Sequence, residues 1–240
     1  MQIAELAAVI AIVAAGGLVR GVTGFGGAMA MTPPLSLLMG PTTAVATALL
    51  LEVIPAAYLL PGAFREMSAR TIAPIFMAAC VSIPFGTYLL LNLDPNLARR
   101  LIAGVVVLFS LGLLTGIRYA GRQRMTTSIS LGLVSGFLLG ATGMGAPPVI
   151  IYLLSGPDPA ARTRANLILF VSGISVAGLV ALAAHGVLTA GVLLRAAMLS
   201  PVFFSLLWVG AAVFRRLTDQ GFRRATLIAL LAISLLILLV

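Results

Sequence analysis

An all-α polytopic membrane protein is the fold class this sequence predicts, with about eight helices plus broken or re-entrant segments in two inverted-topology repeats. Three observations predict it. Apolar runs of helical length recur along the chain, charge is scarce and clustered, and one glycine–proline motif occurs twice, half a chain apart.

Of the 240 residues, 61% are hydrophobic and 9% are charged, and the mean hydropathy is +1.17. A soluble domain carries about 25% charged residues, so most of this surface must face lipid. The apolar runs are Leu6–Val19, Ala44–Phe64, Ile72–Leu93, Leu101–Ile117, Ile129–Ala141, Ala165–Ala184, Ala196–Phe214 and Ala225–Val240. Most approach the ~20 residues that cross a hydrocarbon core. Backbone groups in lipid must pair internally, which makes these runs helices. They lack the polar–apolar alternation of a membrane barrel.

The net charge of +9 comes from arginine, as the chain has no lysine. These arginines sit at the ends of apolar runs, where the positive-inside rule puts them, and not on a nucleic-acid-binding face. Cys80 lies alone inside an apolar run, which excludes a disulfide framework or a thiol pair. The start, Met1 to Glu5, lacks the basic region of a signal peptide, so the first helix is expected to be retained.

Gly21-Val-Thr-Gly-Phe-Gly-Gly27 is matched by Gly140-Ala-Thr-Gly-Met-Gly-Ala146. Each is followed by a proline pair, Pro33-Pro34 or Pro147-Pro148, and then by Gly-Pro, at Gly40-Pro41 or Gly156-Pro157. Residues 1–121 and 122–240 read as two repeats, a common construction in transporters. Arg65 and Arg70, then Arg118, Arg122 and Arg124, Arg162 and Arg164, and Arg215, Arg216, Arg223 and Arg224 can all share the cytoplasmic side. Arg99, Arg100 and Arg195 fall on the other side. This orientation inverts one repeat relative to the other and puts both termini on the non-cytoplasmic side. Each motif must then enter and leave on one side of the membrane, as a tilted helix pair or as a helix followed by a short re-entrant segment. The nearby prolines favour the broken form.

Clustered glycine opens a helix, and non-helical backbone at membrane depth survives only in a protein interior or a watery cavity. Freed N–H groups and the positive end of the next helix then suit an anion. Gly24, Phe25, Gly26 and Gly27, with Gly143, Met144 and Gly145, are therefore candidate substrate-binding residues. Close helix packing through small residues is the competing reading. Thr23 and Thr142 hold equivalent places; their hydroxyls can donate to an anion or to a freed carbonyl. Arg20 precedes the first motif, either as an anion ligand or as an interfacial cation. Glu52 is the acid deepest in an apolar run, a candidate proton carrier or a structural partner of Arg20. Its counterpart falls near Phe170–Ser172, without an acid. Asn166 reads as a cap and His185 as a loop residue. No metal or other cofactor is expected.

At the two glycine–proline motifs the chain resembles the sulfite exporter TauE/SafE family of membrane permeases. The pattern of three long helices after each motif agrees. The resemblance implies a bacterial inner-membrane permease for small anions, such as sulfur oxyanions or organosulfonates, with protons as a coupling ion. The second motif departs from the glycine run, with Ala146 and Pro147 where the first has Gly27 and Ala28, so unequal contributions from the halves are expected. The leading expectation is a secondary transporter working by alternating access near the bilayer midplane. A passive anion channel is the alternative, followed by an intramembrane enzyme, for which convergent catalytic groups are lacking.

Overall fold

The computed structural model describes residues 3–23, 26–115, 119, 124–156, 158–214, 231 and 234–235. Its elements are α1 (Ile3–Thr23), α2 (Gly27–Met39), α3 (Pro41–Glu66), α4 (Ala69–Asn92), α5 (Pro95–Leu114), α6 (Met125–Thr142), α7 (Ala146–Leu154), α8 (Ala160–Ala184) and α9 (Ala190–Phe214). There is no strand among the described residues. Leu231, Ser234 and Leu235 are helical, but most of the expected last helix, 225–240, lies outside the described residues. So do Arg118, Arg122, Arg215, Arg216, Arg223 and Arg224, on which part of the orientation argument rests.

Among the described residues, 6 helices are long and apolar enough to cross a membrane, and α3 makes up to 7 despite a 68° bend between Pro55 and Leu60. Pro55 and Pro61 lie inside α3, where each removes a backbone donor. The helices begin earlier than their apolar runs, because polar first turns belong to them. Gly40, at φ 82°, turns the chain between α2 and α3, and Pro41 opens α3. Asp94 caps α5 by accepting from Asn96 N–H at 2.8 Å and Leu97 N–H at 3.4 Å.

The stretches after the motifs are helices in their own right, too short to cross: α2 has 13 residues and α7 has 9. α2 folds back along α1, with Gly16 against Met31, and α3 runs back along α2. α3 and α8 lie antiparallel: Leu49 meets Gly178 midway, and Asn166 accepts at 2.8 Å from the N–H of Ser68, beyond the end of α3.

Two further contacts cross between the halves. α1 packs on α9, and α4 on α6. Both are glycine seams in which backbones nearly touch. A Cβ on Gly17 would strike Phe203 O, and one on Gly21 would strike Leu207 O. In α6, a Cβ on Gly136 would strike Ala79 O, and one on Gly140 would strike Ile83 O. The register that aligns the two motifs pairs Gly17 with Gly136 and Gly21 with Gly140. Gly210 against Leu18 O likewise matches Gly86 against Phe137 O. Lipid gives no hydrophobic drive for helix association, so such close packing carries it. The first glycine of each motif thus serves packing, and only the later ones serve the break.

A leucine at Gly136 should therefore lower stability by about 3 kcal/mol or more through overpacking. Alanine at Gly104, which has open space around it, should be neutral or stabilise by about 0.5–1 kcal/mol. Unfolding midpoints in detergent would compare the two.

Candidate functional site

Each motif ends one helix and starts another inside the packed body. In the first, α1 carries Arg20 to its last turn and stops at Thr23. Gly24, Phe25 and the Thr23 side chain lie outside the described residues. Gly26 takes φ 85°, a left-handed conformation that costs glycine least, and α2 starts at Gly27. The first N–H groups of α2 have no partner within the helix. One is met from α3: Ala28 N–H donates to Glu52 Oε1 at 3.0 Å. The other carboxylate oxygen, Oε2, lies 2.9 Å from Arg20 Nε, and the two side chains are only 5% and 6% exposed. Glu52 Oε2 accepts no aligned hydrogen bond among the described residues, so this contact is an ion pair without a directed N–H. The pairing matches the sequence reading of Glu52 as a structural partner of Arg20.

In the second motif, α6 ends at Thr142 and Gly143 takes φ 75°, its N–H donating to Leu139 O at 2.7 Å. Met144 is buried and Gly145 leads into α7. Ser135 Oγ donates to Gly145 O, meeting one freed carbonyl of the break. The Thr142 hydroxyl turns back to Leu138 O at 2.7 Å, which matches the carbonyl-satisfying reading of that residue. Thr32, from the first half, lies near Gly143 and its buried Oγ1 has no hydrogen-bond partner among the described residues.

The two breaks open on one cavity of about 30 Å³, room for roughly two waters. Arg20, Gly26 and Glu52 line it from the first half, and Gly143, Met144 and Gly145 from the second. Gly27 lies beside it, against Glu52 Oε1 and Arg20. Thr142 is not in its wall. Glu52 lies near the middle of the 26-residue α3, and Val171, Ile174 and Ser175 near the middle of the 25-residue α8 complete the wall. The cavity is therefore level with the midpoints of two helices of spanning length.

Sequence reasoning placed the counterpart of Glu52 near Phe170–Ser172, which includes Val171, but missed Ile174 and Ser175. The register that aligns Gly24 with Gly143 also aligns Arg20 with Leu139 and Glu52 with Val171. All four line the cavity, so one half supplies an ion pair where the other supplies an apolar pair. Outside the cavity, Asn166 is not the cap that its place near a helix start suggested: it lies inside α8, which begins at Ala160, and its Oδ1 accepts from the N–H of Ser68 ahead of α4. His185 is exposed at the end of α8, with Nδ1 2.8 Å from Ala181 O.

Removing one member of the buried pair, by Arg20→Leu or Glu52→Val, should cost about 3–5 kcal/mol, because the other charge is stranded. The double variant, which reproduces Leu139 and Val171, should recover most of that loss. It leaves the Ala28 N–H without its acceptor, a residual of about 1–3 kcal/mol. Unfolding midpoints of the three variants would measure it.

A curated relative, a probable sulfite/organosulfonate exporter TauE of Cupriavidus necator, is 29% identical over 199 residues, covering 80% of this chain and 77% of that protein. No solved structure matches the chain. The family model described as sulfite exporter TauE/SafE matches residues 8–237, nearly the whole length. With its spanning helices and paired breaks, the chain belongs to the sulfite exporter TauE/SafE family, as a multi-pass membrane transport protein and not an enzyme.

Proposed function

We propose that this protein is a secondary transporter for a small sulfur oxyanion or organosulfonate, held between the two helix breaks and exposed to either side in turn. The observation that carries this reading is the convergence of both breaks on one small cavity at the midpoints of α3 and α8. A helix that starts beside a cavity presents N–H donors and the positive end of its dipole to an anion. In a water-poor interior these few donors count for more than they would in water. The curated relative's name, a sulfite/organosulfonate exporter, supports the substrate class.

The halves 1–121 and 122–240 act as inverted repeats about this cavity. Three features support the inversion: the antiparallel run of α3 against α8, the reciprocal pairs α1 on α9 and α4 on α6, and the matched glycine contacts in those seams. Movement of one half against the other would open the cavity to alternate sides. The placement of arginines supports a bacterial inner-membrane orientation with both termini outside the cytoplasm. Glu52 is the proton-coupling residue of this scheme, as it is the acid in the cavity wall.

Gly26→Leu puts a side chain on a left-handed backbone, a strain of about 1–3 kcal/mol. Gly145→Leu drives a Cβ into Ser135 O. Each should cut sulfite or ethanesulfonate flux in proteoliposomes by about tenfold or more, since 1.4 kcal/mol is tenfold, while leaving insertion intact. Full flux with both changes present would sink the central site. Flux that saturates and runs uphill on a proton gradient would exclude the channel alternative.

A further inference from the structure

We propose that the Glu52 carboxylate is a tethered stand-in for the transported anion, occupying the seat at the start of α2 where the substrate's anionic head binds. Substrate takes that seat only when Glu52 is protonated and leaves it. The inference rests on the transport reading above and deepens it.

The seat is already filled by an anion in this structure. Glu52 Oε1 accepts from Ala28 N–H at 3.0 Å, and Oε2 lies 2.9 Å from Arg20 Nε. The carboxylate thus bridges a helix N-terminus and a buried guanidinium, as two oxygens of an oxyanion would. Gly27 makes the approach possible, because a Cβ there would collide with Glu52 Oε1. Oε2 is buried and accepts no aligned hydrogen bond among the described residues.

The charges facing this seat are few. Arg20 and Glu52 are the ionisable groups in the cavity wall; α2, α8 and the second motif contribute none. α9, which also packs on α3, carries Arg195 among its described residues, exposed near its start. Two anions sharing Arg20 would repel each other away from water, which disfavours ionising both. Binding a substrate anion must then take up one proton on Glu52. The adjoining cavity of about 30 Å³ is where the neutral carboxyl turns aside. The second half, with Leu139 and Val171 at the equivalent positions, has no such seat.

The test uses purified full-length protein and ethanesulfonate, an anion whose own charge does not change near neutral pH. Calorimetric affinity of the native protein should rise as pH falls, by at most about tenfold per pH unit, as one-proton linkage requires. Weakly buffered samples should show close to one proton taken up per anion bound. Glu52→Gln should bind with affinity independent of pH and at least as tight as the native protein at low pH. Weaker binding by folded Glu52→Gln, or native binding without proton uptake, would overturn the inference while leaving transport standing. If Glu52→Gln does not fold, proton uptake by the native protein still decides. Absence of binding by native protein at every pH, with sulfite as well as ethanesulfonate, would overturn the transport reading and this inference with it.

Discussion

A helix that ends inside a membrane leaves backbone donors and acceptors that water cannot reach, and much of this structure follows from how they are met. The start of α2 is satisfied by a carboxylate from α3, and that carboxylate is held beside Arg20 from α1. Three consecutive helices are thereby fixed at one point. The second break is met differently, by its own backbone and by the Ser135 hydroxyl. The charge that makes the first break attractive to an anion is therefore also what makes it foldable. Neither Arg20 nor Glu52 is tolerable there alone.

The glycine seams set the frame in which this happens. With lipid outside and no hydrophobic gain from joining helices, α1 and α9, and α4 and α6, approach until carbonyl oxygens meet α-carbons. Each seam joins a helix of one half to a helix of the other, so the breaks at the ends of α1 and α6 are brought to the same place. Leu49 and Glu52 of α3 and Val171, Ile174 and Ser175 of α8 line the cavity together.

The spanning helices were legible because apolarity over some 20 residues has few other uses. The breaks were legible because clustered glycine and proline in such a run has a physical cost that must be met. The partnership of Arg20 with Glu52 was open to inference, since an isolated buried charge needs a counter-ion. Three things were not legible. Seam partners depend on tertiary register, which a single sequence does not display. The wall residues Ile174 and Ser175 are ordinary helix residues whose place comes from α8 crossing the breaks at its middle. The direction of the Thr142 hydroxyl depends on a local rotamer, which turns it back onto Leu138 O within its own helix.

The exchange of helices between halves also constrains how the chain is assembled. α1 finds its closest partner only in α9, nearly the full length of the chain away. During synthesis, Gly17 and Gly21 must therefore face lipid or a chaperoning surface until residues around Phe203 and Leu207 have been inserted. Contacts so distant in sequence form late and slowly. Neither half can complete its own packing, and maturation in the membrane is a single cooperative event that waits on the ninth helix.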